Sequence, residues 1–223
     1  MDIAWAALGL SLKVAAWSTF FNLLFGVGTG YLLARARFHG RDLLDALLTL
    51  PMVMPPTVLG YYLLVLLGRR GPLGAWLQSH FGVNLIFTWQ GAVLASTIVA
   101  FPLVFKPARA AFEAVDGQLE QAARVLGIGE AAIFFRVTLP LAWRGILAGL
   151  LLGFVRALGE FGATLMVAGS IPGKTQTLSV AVYEAVQAGQ DEAANGLVLI
   201  TSLVCIIVLL AAGRLAPGRV APR

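Results

Sequence analysis

Charged residues are scarce in this chain, and their scarcity limits the class of protein. Asp, Glu, Lys and Arg make up 12% of its 223 residues, whereas 59% are hydrophobic and the mean hydropathy is +0.85. A soluble domain carries about 25% charged residues. The apolar runs exceed the roughly 20 residues that a helix needs to cross a bilayer, and they are continuous rather than alternating. The sequence therefore predicts an all-α integral membrane protein and excludes a soluble domain or an outer-membrane barrel.

Cysteine and histidine are almost absent. The one cysteine, Cys205, lies inside an apolar run, so no intramolecular disulfide is possible. With His39 and His80 as the only histidines, no group of His, Cys and carboxylate residues has metal-ligand spacing. Gly169 and Gly173-Lys174-Thr175 look like a phosphate-binding loop, but they enclose three residues where the motif needs four. We therefore expect no metal, no cofactor bound by this chain and no catalytic residue.

Five apolar runs predict five transmembrane spans, at about 8–34, 43–68, 88–108, 145–168 and 196–213. Basic residues concentrate in the first loop, the third loop and the tail, whereas the second and fourth loops hold only Arg69, Arg70 and Lys174. Because cytoplasmic loops carry the excess of Lys and Arg, the N-terminus is predicted outside and the C-terminus in the cytoplasm. The same topology accounts for the net charge of +5 without any binding of nucleic acid. The residues counted as cytoplasmic are Arg35, Arg37, Arg41, Lys106, Arg109, Arg124, Arg136, Arg144, Arg214, Arg219 and Arg223.

Prolines interrupt the second predicted span. Pro51, Pro55 and Pro56 lie within its apolar run, followed by Thr57. Each proline removes an amide donor and clashes with the preceding turn, and the freed carbonyls need protein or water around them. We therefore expect a broken helix that lines a translocation pathway, as discontinuous helices do in transporters. A simple packing kink is the alternative.

The fourth predicted span combines small residues with charge. Gly145, Gly149 and Gly153 recur at steps of four, which allows another helix to approach closely. At about 100° per residue, Arg156, Glu160 and Thr164 fall near one face of the same helix, which should point into protein or a cavity. Arg156 and Glu160 can pair along the helix. This pair either neutralises itself and holds helices together, or forms part of a gate or pathway.

A polar insert lies between the third and fourth predicted spans. Residues 118–126 are good helix formers, and Gly127 with Gly129 permits a sharp turn. A second helical stretch, residues 130–137, is expected to end before Pro140. The insert is predicted to be a cytoplasmic helical elbow, because a loop of this length with its own helical pattern is uncommon unless it is functional. A further external or re-entrant helix is expected within 175–194.

The insert resembles the EAA signature of the permease subunits of ATP-binding-cassette (ABC) importers. That signature is Glu-Ala-Ala, three residues, Gly, nine residues, Ile, one residue and Leu-Pro. Gln121 and Val137 replace the Glu and the Ile of the signature, and Glu120 lies one residue earlier. The resemblance implies that residues 118–129, within a loop at about 109–144, form the coupling helix that docks on a separate cytoplasmic ATPase. The matching positions are Gln121, Ala122, Ala123, Gly127, Val137, Leu139 and Pro140.

Three other segments, 50–62, 158–164 and 171–177, are similar to the molybdate group of these permeases. The resemblance implies one permease domain over 1–223 with the MetI-like importer fold, in the bacterial cytoplasmic membrane. It implies a homodimer with two ATPase subunits, which bind the ATP and magnesium, and an extracytoplasmic molybdate-binding protein. Thr57 and Thr164 would offer hydroxyl donors to the oxyanion, and Arg156 would offset its charge. Glu160 argues against a strong resting anion site.

Three other functions are open at this point. The same machinery could carry sulfate, thiosulfate or tungstate, since sulfate permeases are similar to the molybdate group. An ion-coupled secondary transporter or channel would need no ATPase, and the elbow argues against it. A membrane-embedded enzyme would need a polar constellation that this sequence lacks.

Overall fold

The computed structural model describes residues 2–36 and 38–215, and in these ranges it is helical with no strand. Arg37, Arg219 and Arg223, which entered the count of basic residues, lie outside the described residues. A π-helical turn, Phe134–Thr138, joins α7 to α8. The helices of the described ranges are α1 (Asp2–Arg35), α2 (Arg41–Val53), α3 (Pro56–Leu67), α4 (Pro72–Phe81), α5 (Trp89–Glu113), α6 (Gly117–Val125), α7 (Glu130–Ile133), α8 (Leu139–Leu158), α9 (Gly162–Ala168), α10 (Leu178–Gln187) and α11 (Asp191–Leu215).

The number of long apolar helices agrees with the sequence. Four stretches of the described chain are long and apolar enough to cross a membrane, at Ala4–Arg35, Trp89–Glu113, Glu130–Leu158 and Asp191–Leu210. A fifth span results if α2 and α3, which are bent by 111° at a short break, are taken together. The prediction of an all-α membrane protein with about five spans is confirmed.

The break in the second span lies between α2 and α3. Met54 and Pro55 both have extended backbone, with ψ of 139° and 131°, and each precedes a proline. A proline disfavours helical backbone in the residue before it, so two successive prolines hold two successive residues out of the helix. Pro51 lies inside α2 and does not end it. The predicted break is therefore present, and Pro55 and Pro56 are its cause.

The bounds predicted for the fourth span, 145–168, are wrong. The helix runs from Glu130 to Leu158, is interrupted at 159–161 and resumes as the short helix α9. Pro140 does not end it, because this proline lies in the first turn of α8, directly after the π-helical turn in which the Leu139 amide bonds to the Phe134 carbonyl. The π-helical turn shifts the hydrogen-bond pattern directly before Pro140, and the helix continues through it.

Helix α5 lies at the centre of the bundle and packs along α1 and α8. Its Phe105 and Phe112 are fully buried. Three glycines of α8 approach α5 closely: a Cβ at Gly145 would lie 2.6 Å from the Ala111 Cβ, and one at Gly153 would lie 2.5 Å from the Val104 Cγ2. A Cβ at Gly149 would lie 3.2 Å from the Pro107 Cβ. The glycine row of α8 therefore lies in contact with α5.

Hydrogen bonds hold the segments between the last spans. The Gly169–Thr175 segment is a turn in which the Thr175 hydroxyl accepts a hydrogen bond from the Ile171 amide at 3.0 Å. Helix α10 follows, within the range where an external or re-entrant helix was expected. Its first amide, of Leu178, donates to the Ser11 hydroxyl of α1 at 2.8 Å, which fixes α10 against the first span.

Candidate coupling elbow and translocation cavity

Helix α6 has defined caps at both ends. The Asp116 side chain accepts a hydrogen bond from the Gln118 amide at 2.9 Å, as an N-cap residue does. At the other end, the Gly127 amide bonds to the Arg124 carbonyl and the Ile128 amide bonds to the Ala123 carbonyl. This pair of bonds is a Schellman motif, and it requires the left-handed backbone that Gly127 adopts at φ 77°. The sequence thus forms the predicted elbow and ends its first arm at Gly127.

One face of α6 exposes apolar side chains. Val125 is 88% exposed and Leu126 is 78% exposed, and Leu119 and Ala122 are also exposed. We call these four residues the outer face of α6. Gln121 lies beside them and is exposed, whereas Ala123 is buried against the bundle. A cluster of exposed apolar side chains on a projecting helix marks an interaction surface, because its exposure to water is unfavourable.

Glu120 points away from the outer face. Sequence reasoning grouped it with the residues that couple to an ATPase, but its side chain is only 8% exposed. Its Oε1 accepts a hydrogen bond from the Thr138 hydroxyl at 2.6 Å and forms an ion pair with Arg35 at the end of α1. A buried carboxylate needs such partners. Glu120 therefore contacts the bundle and not the surface that a partner could reach.

The second arm of the elbow consists of α7 and the π-helical turn, which continue directly into α8. Leu139 is partly buried and packs in the core cluster that contains Phe112 and Ala142, whereas Pro140 is exposed. The two arms are joined by Arg124 and Glu130, whose Nε and Oε1 atoms lie 2.5 Å apart. Hydrogen bonding to the Glu130 carboxylate raises the pKa of Arg124, which is charged at neutral pH in any case.

A small cavity forms where the two interrupted helices meet. A Cβ at Gly162, after the interruption of the fourth span, would lie 3.1 Å from the Thr57 amide nitrogen, after the break in the second. The cavity has a volume of about 260 Å³. The sequence predicted that Thr57, Arg156 and Glu160 share a functional region, and the structure brings them to one cavity. Its lining residues are Pro56, Thr57, Arg156, Gly159, Glu160, Phe161 and Gly162.

The charges in this cavity are paired. The Arg156 Nη1 lies 2.5 Å from the Glu160 Oε2. The other carboxylate oxygen accepts a hydrogen bond from the Ala163 amide at 2.9 Å, so Glu160 also holds the first turn of α9. The Glu160 side chain is 1% exposed, whereas that of Arg156 is 32% exposed. The accessible charge at the cavity is therefore the guanidinium.

Two residues of the predicted pathway lie elsewhere. Thr164 is fully buried, and its hydroxyl lies 3.4 Å from the Ser96 hydroxyl of α5. It is not part of the helix that carries Arg156, because α8 ends at Leu158 and Thr164 lies in α9. Pro55 is exposed at the break but does not line the cavity. Thr57 is thus the only threonine of the predicted set that lines it.

A cluster of charges between α2 and α5 was not predicted as a unit. Asp45 forms ion pairs with Lys106 and Arg109, and Glu113 pairs with Arg109 and with Arg41. None of the 13 residues of α2, all of them within the described ranges, is buried, so these pairs are the main polar attachment of α2 to α5. Sequence spacing cannot reveal pairs between distant helices. Within the described residues, no group of three His, Cys, Asp or Glu side chains could hold a metal ion.

A helical bundle with an interrupted span and a projecting elbow defines a membrane permease of the importer type. The structure superimposes on a chain of the MetNI methionine ABC transporter in an inward-facing conformation with a TM-score of 0.77, at 17% identity, over 97% of this chain and 95% of that one. A chain of the bacterial alginate ABC transporter gives 0.76 at 16% identity, over 96% and 80%. These likenesses establish the fold.

The chain belongs to the family of binding-protein-dependent transport system inner membrane components, whose model matches residues 26–220. It is 47% identical over 210 residues to the molybdenum transport system permease protein ModB of Escherichia coli (strain K12), covering 94% of this chain and 92% of the relative. The protein of that name from Haemophilus influenzae is 45% identical, over 92% and 90%. The sulfate transport system permease protein CysW of Synechocystis is 38% identical, over 92% and 74%. The chain is thus a multi-pass permease of the inner membrane.

Proposed function

We propose that this chain is the membrane-spanning permease of an ATP-driven molybdate importer. One observation carries the choice of cargo. Two molybdenum permeases are 45% and 47% identical to this chain and match in length, whereas a sulfate permease is 38% identical and longer. The segments 50–62 and 158–164, which resemble the molybdate group, contribute six of the seven residues that line the cavity.

The proposed assembly contains two copies of this chain, two separate ATPase subunits and an extracytoplasmic molybdate-binding protein. The sequence has no phosphate-binding loop with the required spacing, so ATP and magnesium would bind only to the ATPase subunits. The apolar outer face of α6 supports the ATPase as a partner, because it projects from the bundle and is exposed. The elbow and the C-terminus would face the cytoplasm and the N-terminus the outside, according to the basic loops.

In this proposal the outer face of α6 docks on the ATPase, and the pathway runs between the two permease copies. Thr57 supplies a hydroxyl donor to the passing oxyanion. Arg156 offsets the charge of the oxyanion. Glu160 prevents tight binding of the oxyanion, because its carboxylate already pairs with the Arg156 guanidinium. A transporter site must release its cargo, so a partly neutralised arginine suits the task better than a free one. Affinity and much of the selectivity would reside in the binding protein.

Uptake measurements test the cargo. We expect cells that depend on this importer to take up labelled molybdate, with strong competition by tungstate and weak competition by sulfate. The Thr57→Val variant should lower uptake, while Thr49→Val, at a half-buried threonine of α2 outside the cavity, should not. Competition by sulfate as strong as that by tungstate would favour the second candidate, a sulfate or thiosulfate importer, which the sulfate relative supports.

A purification tests the partners. The chain, solubilised in mild detergent, should retain an ATPase subunit, and the Leu126→Asp variant of the outer face should lose it. Gln78→Asp places the same charge at an exposed polar position of α4, outside the elbow, and is the control. Transport of the anion by the purified chain without ATPase or nucleotide would instead favour a secondary transporter or channel.

A further inference from the structure

The position of Glu120 separates two tasks within the elbow. The surface of α6 that a partner can reach contains Leu119, Val125 and Leu126, whereas Glu120 is on the side that α6 turns to the bundle. At about 100° per residue, these positions lie on different faces of the helix. An ATPase docked on the outer face would not touch this carboxylate. Its contribution must come from its contacts within the chain.

Three structural elements share one oxygen atom of Glu120. Its Oε1 pairs with Arg35, the last residue of α1, and accepts a hydrogen bond from Thr138, the last residue of the π-helical turn. Among the ion pairs within the described ranges, this is the one that joins α6 to α1. Because a buried carboxylate is strongly disfavoured without its partners, α6 cannot move far unless Arg35 and Thr138 move with it.

The other polar link of α6 is weaker. Arg124 and Glu130 are 46% and 69% exposed, and an exposed pair contributes little because water and salt screen it. That pair also spans the turn that contains Gly127 and Gly129, so it joins the two arms of the elbow to each other and not to the rest of the bundle. The π-helical turn at the base of α8 is a type of local unwinding that occurs frequently at functional sites. Thr138 therefore lies in the least regular turn of this helix, and a force applied through Glu120 would act on that turn.

We propose that Glu120 is a positioning residue that carries the displacement of α6 to α1 and α8, and that it takes no part in docking. This inference rests on the proposed function, because the ATPase supplies the displacement. When the outer face moves, one carboxylate draws the end of α1 through Arg35 and the base of α8 through Thr138. A change at Glu120 should therefore separate ATP hydrolysis from transport while the complex remains assembled.

The test uses the importer purified with its ATPase and reconstituted in liposomes with the binding protein. Three quantities are measured: retained ATPase subunit, ATP hydrolysed, and labelled molybdate transported. We expect Glu120→Gln to retain the ATPase as the wild type does and to transport about tenfold less molybdate per ATP, a size that mutations along a coupling route can reach. Thr138→Val should lower the same ratio by about threefold, since it removes one of the two contacts. Glu192→Gln makes the same chemical change at an exposed carboxylate of α11, outside the elbow, and should leave the ratio unchanged.

Two results would overturn the inference. Loss of the ATPase subunit from well-folded Glu120→Gln would make Glu120 a docking residue. An unchanged ratio of molybdate transported to ATP hydrolysed in Glu120→Gln or Thr138→Val would show that the contact between Glu120 and Thr138 does not transmit the displacement of α6. Thr138→Val replaces a hydroxyl by a methyl group, so it decides the question if Glu120→Gln does not fold. A wild-type chain that retains no ATPase would instead refute the proposed function itself, and this result is read from a different sample.

Discussion

Arg156 and Glu160 form an ion pair across the end of α8, with Nη1 and Oε2 2.5 Å apart. The pair is unequal, since Glu160 is buried and Arg156 borders a cavity. Glu160 also accepts the hydrogen bond of the Ala163 amide beyond the interruption. The same carboxylate thus neutralises the accessible cation and positions α9.

Because Glu160 is buried and Arg156 is partly exposed, substitutions of the two residues should lower stability by different amounts. Arg156→Ala leaves a buried carboxylate unpaired and should lower the free energy of unfolding by about 3 kcal/mol. Glu160→Gln keeps an acceptor for the Ala163 amide and leaves a cation with access to water, so it should cost about 1 kcal/mol. Thermal unfolding in detergent measures both. Arg144→Ala, an exposed arginine on the same helix, is the control, and equal losses from Arg156→Ala and Glu160→Gln would contradict this account.

Close packing of α8 on α5 predicts that Gly153→Ala is destabilising. The new Cβ would lie 2.5 Å from the Val104 Cγ2, so one of the two helices must shift, at a cost of about 1–3 kcal/mol. The second substitution Val104→Ala removes the clashing methyl group and should recover part of the loss. Melting temperatures in detergent give both values.

A matched control lies in α1. Gly28 has no atom within 4 Å of the place where its Cβ would lie, and its backbone is helical. Gly28→Ala should therefore raise stability slightly, by up to about 1 kcal/mol, because alanine is the better helix former. If Gly28→Ala and Gly153→Ala had the same effect, contact with α5 would not be the reason that α8 carries its glycine row.

The left-handed backbone of Gly127 predicts a specific order among its substitutions. No atom lies within 4 Å of a Cβ at this position, so the cost of Gly127→Ala is backbone strain of about 1–2 kcal/mol. Asparagine tolerates this conformation better than alanine, so Gly127→Asn should be milder. The amount of ATPase subunit that co-purifies should fall in the order wild type, Gly127→Asn, Gly127→Ala.

Gly129 provides the comparison for that series. Its φ is −69°, which any residue adopts, and a Cβ there would also meet open space. Gly129→Ala should retain the ATPase as the wild type does. A loss as large as that of Gly127→Ala would mean that the turn needs flexibility on both sides and not the left-handed conformation.

The attachment of α2 predicts a local effect of Asp45→Asn. This change weakens the pairs with Lys106 and Arg109, and no residue of α2, which is described throughout, is buried to compensate. Hydrogen exchange of the backbone amides in 41–53 should become faster, while exchange in α8 stays unchanged. Asp42→Asn, an exposed position on the same helix, serves as control. Unchanged exchange in α2 would show that contacts other than these ion pairs hold it.

Much of this architecture could be predicted from local sequence. Continuous apolar runs gave the number of spans, because only a helix or a closed barrel satisfies its backbone in a bilayer. Pro55 and Pro56 predicted the break in the second span because their effect on the preceding residue is local. Gly127 predicted the end of α6 for the same reason.

Two irregular turns and one set of distant contacts could not be predicted. The interruption at 159–161 contains no proline, and Glu160 holds it through the Ala163 amide and Arg156. Pro140 was interpreted as a helix end, although a preceding π-helical turn makes it a first-turn proline. The inward position of Glu120 depends on Arg35 and Thr138, and residues far apart in sequence give no periodic signal.

The glycine row of α8 has a mechanical consequence. Gly145, Gly149 and Gly153 repeat at about one helical turn, or roughly 6 Å along the axis. Ala111, Pro107 and Val104 of α5 face these three glycines in turn, so the two helices touch over about two turns. Pulling them apart would open a void along this whole seam. The glycine row therefore resists separation of α8 from α5.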